Sequence, residues 1–217
     1  MSLAVEHRTI ALVSVNVGRP APLGKRRGQT VLSGIVKRPV SGTLSLDTLN
    51  LEGDGQADLR VHGGLEKAVY AYPSEHLPVW NAELGVEFGP GTFGENLTVA
   101  GILEDEARVG DIWAWGEARL QICQPRSPCY KLALRTNRPD LLKRFIASGR
   151  TGWYFRVLEP GTVDTGSGIE VVEQDAAGLT VLDAHRAMHE DAVPEETVRA
   201  LIGHPALAAM WRDALAG

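Results

Sequence analysis

A chain of 217 residues, 44% hydrophobic and 23% charged, has the composition of a globular protein with a substantial core. Its formal net charge of -5 excludes the broad basic surface of a nucleic-acid binder, so an anionic ligand must be held by a local group of cations. Two cysteines make no disulfide framework, and no apolar run reaches the about eighteen residues that span a membrane. A reducing cytoplasm is the expected setting. Glu6, His7 and Arg8 precede any apolar run, so no signal peptide is visible.

Residues 9–17 alternate apolar with small polar side chains and predict a first strand, ended by Gly18, Arg19 and Pro20. Lys25, Arg26 and Arg27 form a basic turn. Residues 31–37 and 40–49 continue a short-strand pattern. Residues 51–64, with four glycines and two aspartates, predict a loop that places His62 before Gly63 and Gly64. Pro73 opens a helix to about Leu84, its core face carrying Leu77, Trp80 and Leu84. Residues 85–94 are a second glycine-rich loop, leading into Glu95 and Asn96. Further strands follow at 97–99, 107–115 and 118–123, with Gly116-Glu117 as a hairpin turn. This density of short strands predicts a mainly β barrel or sandwich.

The strand at 118–123 runs into Gln124-Pro125-Arg126-Ser127-Pro128-Cys129-Tyr130-Lys131-Leu132. Two prolines make this a stiff loop, and Arg126 and Lys131 flank the sulfur of Cys129. Cationic neighbours favour the thiolate, the form that attacks electrophiles and binds soft metals. Cys123 lies on the strand and is expected to be buried and inert. A helix is predicted from about Asn137 to Gly149, then strands at 152–158 and 169–172. From residue 178 the pattern becomes helical. Thr180 and Asp183 form a capping-box start, Pro194 opens a second helix ending before Gly203, and His204-Pro205 opens a third. The expected organisation is a β domain over 1–175 and a three-helix C-terminal domain over 178–217.

Three loops thus carry reactive groups: His62 on the first, Glu95 and Asn96 on the second, Arg126, Cys129 and Lys131 on the third. Brought together by a barrel, they suit an anionic cofactor or substrate held by cations, with sulfur as ligand or nucleophile. Spacing alone does not choose between those two roles.

Val61-His62-Gly63-Gly64, Gly94-Glu95-Asn96-Leu97, Val109-Gly110-Asp111 and the Gln124–Leu132 segment together resemble the MOSC family, the molybdenum-cofactor sulfurase C-terminal domain, and within it the bacterial YiiM-like branch. Gly53-Asp54, Tyr72-Pro73 and the helical tail add to the match, which runs from about Val31. The resemblance implies a MOSC-type β-barrel with peripheral helices and a small three-helix C-terminal domain. It implies Cys129 as thiolate ligand of molybdenum in a molybdopterin-type cofactor, with no pyridoxal-phosphate domain in this chain. The implied activity is reduction of small N-hydroxylated compounds, such as 6-N-hydroxylaminopurine-type base analogues, to amines. Electrons would come from a separate flavin-dependent reductase. The alternative is a persulfide carrier that uses Cys129 for metal–sulfur cofactor assembly. On the reductase reading, His62 and Glu95 sit beside the substrate as proton donors or orienting groups. Lys67, Arg126 and Lys131 hold the cofactor, Asn96 and Ser127 add hydrogen bonds, and Tyr72 stacks on the pterin. The helical tail serves as a lid or as a homodimer contact; no nucleic-acid polymer or membrane partner is expected.

Overall fold

The computed structural model describes residues 8–217; the stretch up to His7, read above as lacking a signal peptide, lies outside them. The first predicted strand is β1 (Arg8–Val17), which carries a bulge between Leu12 and Ser14. The basic run sits on a hairpin, β2 (Ala21–Arg26) and β3 (Gln29–Ser33), whose turn places Arg27 and Gly28 at positive φ. The strand expected at 31–37 therefore stops at Ser33. Short strands β4 (Arg38–Val40) and β5 (Thr43–Leu46) follow.

The glycine-rich stretch before Gly64 is not loop throughout: its last residues wind into α1 (Leu59–His62), followed by a 3₁₀ turn at Leu65–Lys67. After β6 (Val69–Pro73) comes α2 (His76–Leu84), closed by Gly85 in the left-handed conformation. The remaining barrel strands are β7 (Leu97–Ala100), β8 (Ile112–Trp115) and β9 (Ala118–Pro125). Two helices follow, α3 (Tyr130–Thr136) and α4 (Leu141–Ser148). The first of them was not expected, and Cys129 occupies its N-cap position. Then come β10 (Trp153–Glu159), β11 (Gly161–Asp164) and β12 (Ile169–Glu173).

Seven strands close a ring in the order β1, β7, β6, β10, β9, β8, β12 and back to β1, with β4 paired outside on β1. Every ring contact is antiparallel except β6 against β7. A parallel pair needs a crossover, and here the return path from β6 to β7 carries α2 and the loop at 85–96. Alternation along β9 sends Ala118, Leu120 and Ile122 into the ring, where Trp113, Trp115, Trp153 and Phe155 are fully buried. Trp113 meets Phe155 and Trp153 edge-on at centroid distances of 5.1 and 5.9 Å. A second apolar cluster, with Tyr72, Trp80, Phe93 and Phe145, lies between β6 and helices α2 and α4.

Residues after β12 form α5 (Val181–His189), α6 (Glu195–Gly203) and α7 (Ala209–Ala216). The capping box at Thr180 and Asp183 is formed in both directions. His204-Pro205 precedes the third helix by a turn rather than opening it. The helices pack their own apolar cluster on Val109. The backbone N–H of Val181 donates to Ala107 O (2.8 Å) and that of Ala208 to Cys123 O (2.9 Å), so the tail is sewn to the barrel wall. Among the described residues no helix is long and apolar enough to cross a membrane.

Candidate active site

The chain between β3 and β4 passes against the glycine-rich segment after β5 so closely that a Cβ on Gly34 would overlap the carbonyl oxygen of Gly55. That approach, permitted only by the absence of a side chain, forms one wall of a cleft. The other walls come from His62 and Lys67, from Gly94 and Asn96, and from the Arg126–Lys131 segment. The three loops singled out in the sequence therefore meet at one place, and the barrel end brings them there.

Cys129 stands at the centre of this arrangement. Its backbone is extended and its thiol takes no part in capping α3, which leaves the sulfur free to face the cleft. Burial opposes ionisation. The hydrogen bond from His62, the Arg126 guanidinium and the Lys131 backbone N–H outweigh it and bring the thiol down to about 7. His62 Nε2 lies 3.3 Å from the sulfur, while its Nδ1 is buried without a partner. Cys123 behaves oppositely: it is fully buried, with its thiol on the carbonyls of Glu66 and Tyr154, and burial pushes it up to about 12. The two thiols are set in opposite senses, Cys129 toward ionisation and Cys123 away from it.

Arg126 is 5% exposed, yet its guanidinium is only partly engaged. Nη2 donates to Phe93 O (3.3 Å) and the group lies over the rings of Tyr70 and Phe145, but Nη1 has no hydrogen-bond partner. A buried, half-satisfied cation facing a cleft is the mark of a site that receives an anion. Lys131 is buried on the same wall, and Lys67 Nζ donates to Val61 O (2.8 Å) at the opposite edge, its pKa lowered by burial. Ser127 is exposed at the rim.

Two expected site residues are placed elsewhere. Glu95 does not reach the cleft: its carboxylate is fully buried and accepts from the N–H groups of Gly91 (2.6 Å) and Phe93 (3.0 Å) and from the Thr98 hydroxyl (3.1 Å). It shapes the loop that carries Phe93 and Gly94 rather than meeting a ligand. Tyr72 is equally buried, its hydroxyl accepting from Trp80 Nε1 (2.7 Å) and its ring packed on Phe93 and Phe145. It is core. Asn96 lines the cleft, but its side chain is also committed to the backbone of Tyr70 and to Asp54.

The sequence reading missed Lys37, which lines the cleft as a buried ion pair with Asp54. Burial lowers the Lys37 pKa while Asp54 opposes that shift. Asp54 also accepts from the N–H of Gly18 (2.8 Å), tying the first strand to the cleft. The glycines at 18, 34, 53 and 55 were the available signal, since close backbone approach is what they permit here. Tyr154 was missed because it faces outward from a strand whose alternate residues fill the barrel.

The MOSC domain pattern matches residues 58–170, the span that holds His62, the Asn96 loop and Cys129. The chain belongs to the MOSC family. It is similar to YflK of Bacillus subtilis, with 40% identity over 93% of this chain and 91% of that one. The crystal structure of YiiM from Geobacillus stearothermophilus superposes with a TM-score of 0.80 at 34% identity, covering 95% of this chain and 97% of that one. A protein of Gibberella moniliformis named "Reductase" is 34% identical over 74% of this chain, a match that spans 29% of its own length. The MOSC fold here is thus the YiiM-like form, barrel and helical tail together.

Proposed function

We propose that this MOSC protein is an oxidoreductase that holds a molybdenum–pterin cofactor on Cys129 and reduces N-hydroxylated compounds to amines. The observation that carries this reading is a thiol poised near neutrality in the same cleft as a buried guanidinium with an unpartnered N–H. A soft thiolate suits molybdenum, and the cations suit the phosphate of a pterin cofactor. Among the described residues no group of three or more His, Cys, Asp or Glu is placed to hold a metal. One protein sulfur matches a metal that arrives with its other ligands on a pterin. The fungal relative named a reductase supports the reaction class.

In this reading Cys129 anchors the metal, Arg126 and Lys131 grip the anionic end, and Asn96 and Lys37 set the cleft wall. When bound, the cofactor supplies the two-electron chemistry. The overall change is R–NHOH plus two electrons and two protons giving R–NH₂ and water, with electrons from a separate flavin-dependent reductase. His62, at the sulfur, is the residue positioned to hold a proton for the departing oxygen.

The test is molybdenum per chain in wild type and Cys129→Ala, expressed in a host that makes the cofactor. Metal in the first and none in the second, with hydroxylamine reduction only in the first, is the expected result. No metal in either after reconstitution, with a persulfide mass shift on Cys129 after incubation with a cysteine desulfurase, would replace the reductase by a sulfur carrier.

A further inference from the structure

The cleft does not end at Lys131. Lys131 and Ala57 also line a second groove, formed with the β2–β3 hairpin. The two spaces share their walls. Strand β3 gives Gln29 and Thr30 to the groove and runs on to Ser33 and Gly34 of the cleft. Helix α3 gives Tyr130 and Lys131, directly after Cys129. At about 3.3 Å per residue, the hairpin end of β3 stands roughly 13 Å along the strand from Ser33.

This groove gathers the basic turn that the cofactor reading leaves unused. Arg26 and Arg27 line it, and neither has a carboxylate partner among the described residues. Elsewhere in this acidic chain arginines are held by carboxylates, as Arg138 is by Asp140, Arg150 by Glu83 and Arg156 by Glu66. The Arg26 guanidinium lies 4.0 Å from the centre of the Tyr130 ring, a stacking that fixes its plane. Lys131 is 7% exposed, and its ammonium has no hydrogen-bond or ion-pair partner among the described residues. A buried cation without a counter-charge, set between two connected spaces, calls for an anion that the chain itself does not supply. Asp58 is the acidic residue on the groove wall.

We infer that the hairpin groove is a nucleotide site, in which Arg26, Arg27 and Lys131 hold a phosphate ester on a ligand that reaches toward the cleft. Guanidinium forks match phosphate oxygens in pairs, and the stacked Arg26 is already oriented to do so. An inorganic ion is too small to extend from the hairpin turn to the cleft, whereas a nucleotide has the length. Such a nucleotide has two sources: it is joined to the pterin as a second phosphate-bearing arm, or it is a separate molecule seated beside the cofactor. The site stands on its own residues and is independent of the reaction at Cys129.

The first arm of the test is calorimetry of ADP and of adenosine with cofactor-free protein. ADP is expected to bind and adenosine to fail, because the phosphates carry the recognition. The double variant Arg26→Glu/Arg27→Glu should weaken ADP binding by about tenfold or more. Arg26→Lys, which keeps the charge and loses the fork, should fall between it and the wild type. Lys25→Gln, on the same turn but off the groove wall, should stay within about threefold of wild type. The second arm is acid release of bound small molecules from molybdenum-loaded protein, with nucleotide counted by mass spectrometry. One nucleoside monophosphate per molybdenum identifies an arm of the cofactor. No released nucleotide, with ADP still bound by the loaded protein, identifies a separate molecule. If ADP binds the wild type and the double variant equally, the assignment is wrong. It is equally wrong if the wild type binds no ADP and releases no nucleotide. Neither failure touches the reductase reading, which is decided at Cys129.

Discussion

His62 Nε2 lies 3.3 Å from Cys129 Sγ, across 67 residues of sequence. The contact joins a four-residue helix to the N-cap of another, and it is the main reason the thiol ionises near pH 7 in spite of burial. Because the charged form is the reactive one, alkylation of Cys129 by iodoacetamide in cofactor-free protein should rise with pH, with its midpoint at about 7. In His62→Ala the midpoint moves upward, and the rate at pH 7 falls by roughly fivefold to tenfold. Cys123 stays unmodified until the protein unfolds. An unchanged midpoint in the variant would remove His62 as the thiolate's stabiliser.

Arg126 predicts a split between stability and loading. Its Nη1 is buried without a partner, so the cofactor-free protein carries an incompletely compensated charge. Arg126→Met removes that charge together with its contact to the Cys129 thiolate and should lose molybdenum while its melting temperature stays within a few degrees of wild type. A variant that is destabilised and still fully loaded would make Arg126 structural.

Glu95→Gln should do the reverse. The carboxylate accepts from two backbone N–H groups and a hydroxyl, and an amide offers only one acceptor oxygen. The expected cost is about 1–3 kcal/mol, which is roughly 2–12 °C in melting temperature for a chain of this size. Below that transition, KM for the hydroxylamine should stay within about twofold of wild type. A large loss of kcat in a stable protein would return Glu95 to the mechanism.

The capping box gives a control far from the cleft. Thr180 accepts from the Asp183 N–H at 3.0 Å and Asp183 accepts from the Thr180 N–H at 2.9 Å. Thr180→Ala should cost about 1 kcal/mol, or roughly 2–4 °C, read by thermal melting. Metal content should not change.

Local signals carried much of this structure. Period-two runs marked β1 and β9, glycines marked the turns, and Thr180 marked the start of α5. The α3 helix was hidden because its seven residues follow two prolines that read as loop, although Pro128 ends one residue before the N-cap. The meeting of the His62, Asn96 and Cys129 loops was reached through family resemblance, since spacing cannot report which strand ends share a barrel rim. Glu95 and Tyr72 were misplaced for one reason: a polar group beside a motif reads as functional until its partners are known. In each case those partners lie within the scaffold. Lys37 was invisible because its partner, Asp54, comes from a separate glycine-rich segment.

The seam of the ring also sets a schedule for synthesis. Ile10 lies opposite Ile169, so the strand made first waits for the barrel strand made last. By then the cleft-lining segments from Ser33 to Tyr154 have all been made, but as parts of an open sheet. Closure of the ring therefore waits for residues 169–171, and a ligand that depends on the closed ring can be captured only after they have been made.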